Sequence, residues 1–143
     1  MPTLREQILT NIRTTLTGTA GVGTRIYRSR VEPLARAESP AIIVEPVSDT
    51  PTQNTSLPTL DHALLVRIVV IMRNAVPDQA ADPILDSLHK KLMADLTVGG
   101  LAIDIQPGPT EFTLEQADTA VGVIFCLFRV LYRTSVEDLS LAA

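Results

Sequence analysis

The side chains that most often carry chemistry are scarce in this sequence: two histidines, His62 and His89, one cysteine, Cys126, and no tryptophan. General acid-base work or nucleophilic catalysis needs such groups to converge, and no His-Glu-x-x-His, Gly-x-Ser-x-Gly, Cys-x-x-Cys, Walker A or dinucleotide fingerprint brings them together. We therefore expect a protein that is not an enzyme. A lone cysteine excludes an internal disulfide and a zinc site built of several thiolates, and Cys126 sits among apolar neighbours, so we read it as a small buried hydrophobe. His62 has no second ligand two or four residues away and reads as a satisfied histidine. Asp78, Asp82 and Asp86, spaced by four, could line a cation site, but acids near a helix start are favoured by the helix dipole alone. No cofactor or metal is expected. Gly18, Gly21 and Gly23 lack the Gly-Lys-Ser or Gly-Lys-Thr ending of a phosphate loop and read as a connector.

Arginine is the residue type that is not scarce, supplying ten of the twelve basic side chains. Its planar fork suits hydrogen-bonded ion pairs at partly buried interfaces. Arg25, Arg28, Arg30 and Arg36 place a third of the positive charge within twelve residues. That cluster is a possible charged contact loop or phosphate site, and with it goes an alternative function, a small regulatory nucleic-acid-binding protein. Two features weigh against the alternative. The net charge is -4, and only Tyr27 offers a base a stacking surface.

Four of the other arginines lie on two long apolar runs. Over residues 121–133 the even positions are Gly122, Ile124, Cys126, Phe128, Val130 and Tyr132, a core face at strand spacing. The odd positions include Phe125, Leu131, Arg129 and Arg133, a face too apolar for open water. Residues 64–73 repeat the design, with Arg67 and Arg73 among the odd positions. An apolar second face in a small one-layer sheet needs its own cover. We expect a neighbouring chain to supply it, through Arg67, Arg73, Phe125, Arg129, Leu131 and Arg133.

Other elements must hold these strands in place. At 143 residues with 45% apolar content, the chain is long enough for one domain with a core, spanning residues 1–143. Thr3 and Glu6 form a capping box before a helix whose stripe is Leu4, Ile8, Leu9, Ile12 and Leu16. A short strand over 24–31 and a strand over 41–47 follow, and Pro46 places the second at an edge. Residues 48–58 are polar and without period, and we expect a mobile contact loop carrying Asp49, Gln53 and Asn54. The strand over 60–73 is long enough for part of it to protrude beyond the core. Asp82 then Pro83 start a second helix with the stripe Leu85, Leu88, Leu92 and Leu96. Gly99-Gly100 ends it, a short strand over 101–106 breaks at Pro107-Gly108-Pro109, a loop runs to Asp118, and residues 134–143 form a short tail. The expected fold class is α+β: a mostly antiparallel sheet of about five strands with two helices on one face. The N-terminus shows no secretion signal and no run reaches a membrane span, so we expect assembly in a cytoplasm.

In this order of elements the chain resembles the tail terminator, or tail completion, proteins of long-tailed bacteriophages. The likeness rests on Arg25-Ile26-Tyr27-Arg28-Ser29-Arg30 leading to Ser39-Pro40-Ala41-Ile42-Ile43-Val44, the Ala80-Ala81-Asp82 helix start, the Gly99-Gly100-Leu101 turn, and Phe128-Arg129-Val130-Leu131-Tyr132-Arg133-Thr134. It implies a homo-oligomeric ring, usually a hexamer, in the virion. Such a ring caps the head-proximal end of the tail tube, stops its polymerisation and meets the head-tail connector protein. DNA would pass through without specific binding, and no membrane is involved. A related neck or head-closure adaptor ring is the nearest alternative. Cyclic closure is also the economical way for one sequence to cover an exposed patch without forming an endless fibre.

Overall fold

In chain order the elements are α1 (Leu4–Leu16), β1 (Ile26–Arg28), β2 (Ala41–Thr52), β3 (Thr59–Arg73), α2 (Pro77–Met93), β4 (Asp104–Glu115) and β5 (Val121–Ser135). They come from a computed structural model that describes residues 2–29, 39–115 and 120–143. The strands form one sheet in the order β1-β2-β3-β5-β4. All neighbours are antiparallel except β1 with β2, which gives the α+β class expected from the sequence.

The two apolar runs are adjacent, and they are paired from Thr59↔Ser135 to Arg73↔Val121 without a break in register. At ~3.3 Å per residue, such fifteen-residue strands span ~50 Å. The part of β3 expected to protrude beyond the core is not left single, because β5 supplies a hydrogen-bonding partner along its whole length. The even positions of both strands enter one hydrophobic cluster with Ile42 and Val44 of β2, with Ile8, Leu9, Ile12 and Leu16 of α1, and with Ala81, Ile84, Leu88 and Leu92 of α2. The odd positions point the other way.

Three boundaries differ from the sequence expectation. First, α2 begins at Pro77, five residues before Asp82, with Asn74 Oδ1 accepting from the Val76 amide at 3.0 Å. Pro83 lies inside the helix, and both it and Gln79, whose carbonyl it leaves without a donor, are exposed to water. The buried stripe is Pro77, Ala81, Ile84, Leu88 and Leu92, while Leu96 is exposed beyond the helix. Second, β2 runs on to Thr52, so residues 48–52 of the expected loop are strand and only the exposed turn after them connects to β3. Pro46 is not on an edge strand, yet β1 covers β2 only from Ile42 to Val44, so no ladder bond is asked of the proline on that side. Third, β4 continues past Pro107-Gly108-Pro109 to Glu115 instead of ending there. It is an outer strand, where proline costs little, and β5 offers it a partner from Leu131 to Val121.

Both long hairpins contain a register shift. In β2 the pairing passes from Pro46↔Val66 to Ser48↔Leu65, and in β4 from Pro107↔Phe128 to Thr110↔Cys126. One extra residue in a strand transfers everything beyond it to the opposite face of the sheet. The tail is held to its own chain: the Leu4 amide donates to the Leu139 carbonyl at 2.9 Å, and Ser135 donates to Leu141 at 3.0 Å.

Candidate functional site

The β2 bulge decides what Asp49 does. With unbroken register Asp49 would face Ala63 on the odd side; the shift sets it opposite Leu64, on the side of the hydrophobic cluster. There it meets His62, whose Nδ1 lies 3.1 Å from Asp49 Oδ1, and the Tyr132 hydroxyl, which donates to Oδ2. Arg5 of α1 donates to the same Oδ2 at 3.2 Å. The carboxylate only accepts, so His62 Nδ1 carries a proton. The other ring nitrogen pairs with Thr134 Oγ1 at 2.8 Å, and the imidazole stacks on the Tyr132 ring at 4.4 Å. Burial, and then the hydrogen bond to Asp49, push the Tyr132 hydroxyl well above the ordinary phenol range. Asp49 therefore is not a contact residue, because its side chain is only 8% exposed.

Asp49, His62 and Thr134 stand in the order carboxylate, imidazole, hydroxyl that activates the nucleophile of many hydrolases. Thr134 is 0% exposed, however, and no substrate carbonyl can reach its oxygen. The cluster ties α1, β2, β3 and β5 together at the end of the sheet where the β2–β3 hairpin turns. The sequence reading of His62 as satisfied holds; its partners were not legible, since Asp49 is brought in by a bulge and Thr134 is 72 residues away.

The odd face is where the expected arginines lie, and the structure interleaves them with apolar residues. Arg129 is opposite Leu65, Arg67 opposite Leu127, and Arg73 opposite Val121. Arg67 is engaged within the sheet: its Nε donates to Glu45 at 2.6 Å, and its guanidinium sits 5.0 Å from the centre of the Phe125 ring. Arg133 donates to Asp61 at 2.6 Å, and Asn54 reaches the same carboxylate at 2.8 Å. The Arg133 and Asn54 hydrogen bonds hold the Asp61 carboxyl below its usual range. Arg73 is half-buried, and its amide donates to Ser39 at 3.0 Å. Arg129 is exposed and has no ion pair among the described residues. Around it opens a cleft of about 690 Å³, lined by Leu65, Leu131, Arg133 and the hydroxyls of Ser48, Thr50 and Thr52. Leu65, Ile71, Val123, Phe125, Leu127 and Leu131 are only half-buried on this face. Gln53 lies in the exposed hairpin turn.

Of the charged cluster expected around β1, the two described arginines are committed to internal contacts. Arg25 donates to the Pro40 carbonyl at 2.7 Å and the Gly21 carbonyl at 2.9 Å. Arg28 grips both oxygens of Glu6, at 3.1 and 3.0 Å, and holds that carboxyl below its usual range. Glu6 is thus spent on Arg28, while Thr3 caps α1 by accepting from the Glu6 amide at 3.2 Å. Arg30 and Arg36 lie outside the described residues. Cys126 is buried, and burial pushes its thiol up to about 11. Among the described residues no group of histidine, cysteine and carboxylate side chains is arranged to hold a metal ion, and no helix is long and apolar enough to cross a membrane. Compared with known proteins, the chain matches no protein-family model and no curated protein sequence.

Proposed function

We propose that this chain is a structural ring subunit of the tail-terminator kind, not an enzyme. In this reading both helices cover the even face of the sheet, and the odd face is left for a neighbouring subunit or the tail tube. The observation that carries it is that odd face: a broad apolar surface on two fifteen-residue strands, half-covered, with the exposed Arg129 in no ion pair among the described residues. A monomer gains nothing from such a face, whereas burial against a second surface returns roughly 25 cal/mol for each Å² of apolar area removed from water. The ring, expected as a hexamer, sits at the head-proximal end of the tail, ends tube polymerisation and presents a surface to the head connector while DNA passes through its centre. The resemblance in element order supplies the specific role, and the internal engagement of Arg25 and Arg28 lowers the claim of the nucleic-acid alternative.

The decisive experiment adds the purified chain to polymerising tail tube protein and measures tube lengths by electron microscopy. Capping at one end with shortened tubes is expected, and particles made without the protein should carry overlong tubes. Normal tails detached from heads in those particles would instead indicate a neck adaptor, and unchanged tube growth with strictly monomeric protein would sink the ring reading.

A further inference from the structure

The bulge in β4 leaves a second surface unfinished. Beyond it Phe112 stands opposite Ile124 and Leu114 opposite Gly122, so both lie on the side of the sheet that carries the hydrophobic cluster. Yet they remain 56% and 61% exposed. Phe112 borders a concavity of about 400 Å³ whose other walls are the first turns of α2, including Asp78 and Asp82. Asp86 pairs with Lys90 at 2.9 Å, but Asp78 and Asp82 have no ion pair among the described residues. This surface is apolar with an acidic rim. The cleft around Arg129 sets Leu65, Ile103 and Leu131 among the polar Ser48, Thr50 and Thr52 and the Arg133–Asp61 pair, with Arg129 outside any ion pair among the described residues, and it lies on the other side of the sheet.

We infer that these two surfaces bind each other between copies of this chain: the Arg129 cleft of one subunit receives Phe112 and Leu114 of the next, with Asp78 and Asp82 facing the arginine. The inference rests on the ring reading and names the contact that builds the ring. Opposite charges at the rims set the orientation, and apolar centres supply the burial. Two different surfaces on opposite sides of a subunit make a head-to-tail contact, which propagates until it closes. Backbone pairing at the sheet edges is the competing route, and it is discouraged where it would start. The free stretch of β2 carries Pro46 and Pro51, and β4 carries Pro107 and Pro109, each with a bulge.

Two variants test this, Arg129→Glu and the pair Asp78→Lys with Asp82→Lys, each first shown by thermal melting to fold like the parent. Sedimentation velocity should show the parent as an assembly and each variant weakened in self-association on the order of a hundredfold. Mixing the two variants in equal amounts should restore the larger assembly, built of alternating chains, since the two unaltered surfaces meet each other and the two altered surfaces carry opposite charges. Combining all three substitutions in one chain should restore the larger assembly. A parent that assembles while both variants keep its mass overturns this contact and leaves the ring reading standing. Loss of assembly in Arg129→Glu alone, with no pairing on mixing, points to a symmetric contact and also overturns it, as does a parent that stays monomeric at high concentration. A parent whose assembly behaves as described but does not limit tube length removes the terminator role and leaves the contact intact.

Discussion

Asp49 is a surface residue by type and a core residue by position. Its two oxygens take hydrogen bonds from Tyr132, His62 and Arg5, three groups from three different elements. Removing the carboxylate leaves the buried donors of His62 and Tyr132 without their acceptor, and a buried donor without a partner costs far more than the net worth of the bond it lost. Asp49→Ala should therefore lower stability by about 3 kcal/mol, and Tyr132→Phe, which removes a donor and leaves an accepting carboxylate still paired with Arg5, by about 1 kcal/mol. Urea unfolding at neutral pH measures both. Equal losses, or a loss for Asp49→Ala within the range of an ordinary surface change, would show that the cluster is not coupled in this way.

At the scale of elements, the position of α2 depends on a missing side chain. Gly122 lies on the even face of β5 where the start of α2 crosses the sheet, and a Cβ added there would stand 2.6 Å from the Cβ of Pro77. Pro77 is buried and belongs to the ring of a fixed first turn, so it has little room to move. Gly122→Ala is expected to cost about 2 kcal/mol by overpacking, in spite of alanine being the better strand residue. The loss should appear in the urea midpoint, together with faster hydrogen exchange in the first turn of α2. A neutral or stabilising substitution would mean that the helix start yields freely. The same crossing explains why the helix begins early: burial of Pro77 against β5 adds a turn and a half ahead of Asp82 and Pro83, where the local signals alone would have started it.

For the molecule as a whole, stability at high pH reports how completely the cluster between helices and sheet is sealed. Cys126 and Tyr132 both sit on the even face of β5, and both have their acid forms favoured by the fold, Cys126 up to about 11 from an ordinary 9.0. As pH rises past 9.0, the unfolded chain releases the thiol proton first and the folded chain retains it. The unfolded state then binds fewer protons, and stability falls with pH. The contribution of these groups is fully present below the ordinary thiol value and is lost progressively towards about 11, with Tyr132 adding to the loss from its ordinary 10.0 upward. The urea midpoint should be level from pH 7 to 9 and drop above it. Cys126→Ala should move the onset upward by about one pH unit, to where the tyrosine begins to titrate; an unchanged onset would show that the thiol is not sealed.

The alternation of residues 64–73 and 121–133 and the α1 stripe of Leu4, Ile8, Ile12 and Leu16 could be read without a structure, because periodicity is a local property of the chain. Those patterns were enough for the α+β class, one core face, and a second face that interleaves arginines with apolar residues. The structure decided everything that depends on a partner distant in sequence. It sent Asp49 inward and Phe112 and Leu114 to the side of the hydrophobic cluster, because a bulge changes which face a residue takes without changing its local pattern. It carried β4 past two prolines because β5 offered an edge, and it paired Arg67 with Glu45 and Arg133 with Asp61 while leaving Arg129 exposed. Register and ion pairing are set by contacts between strands, and no window along one strand contains them.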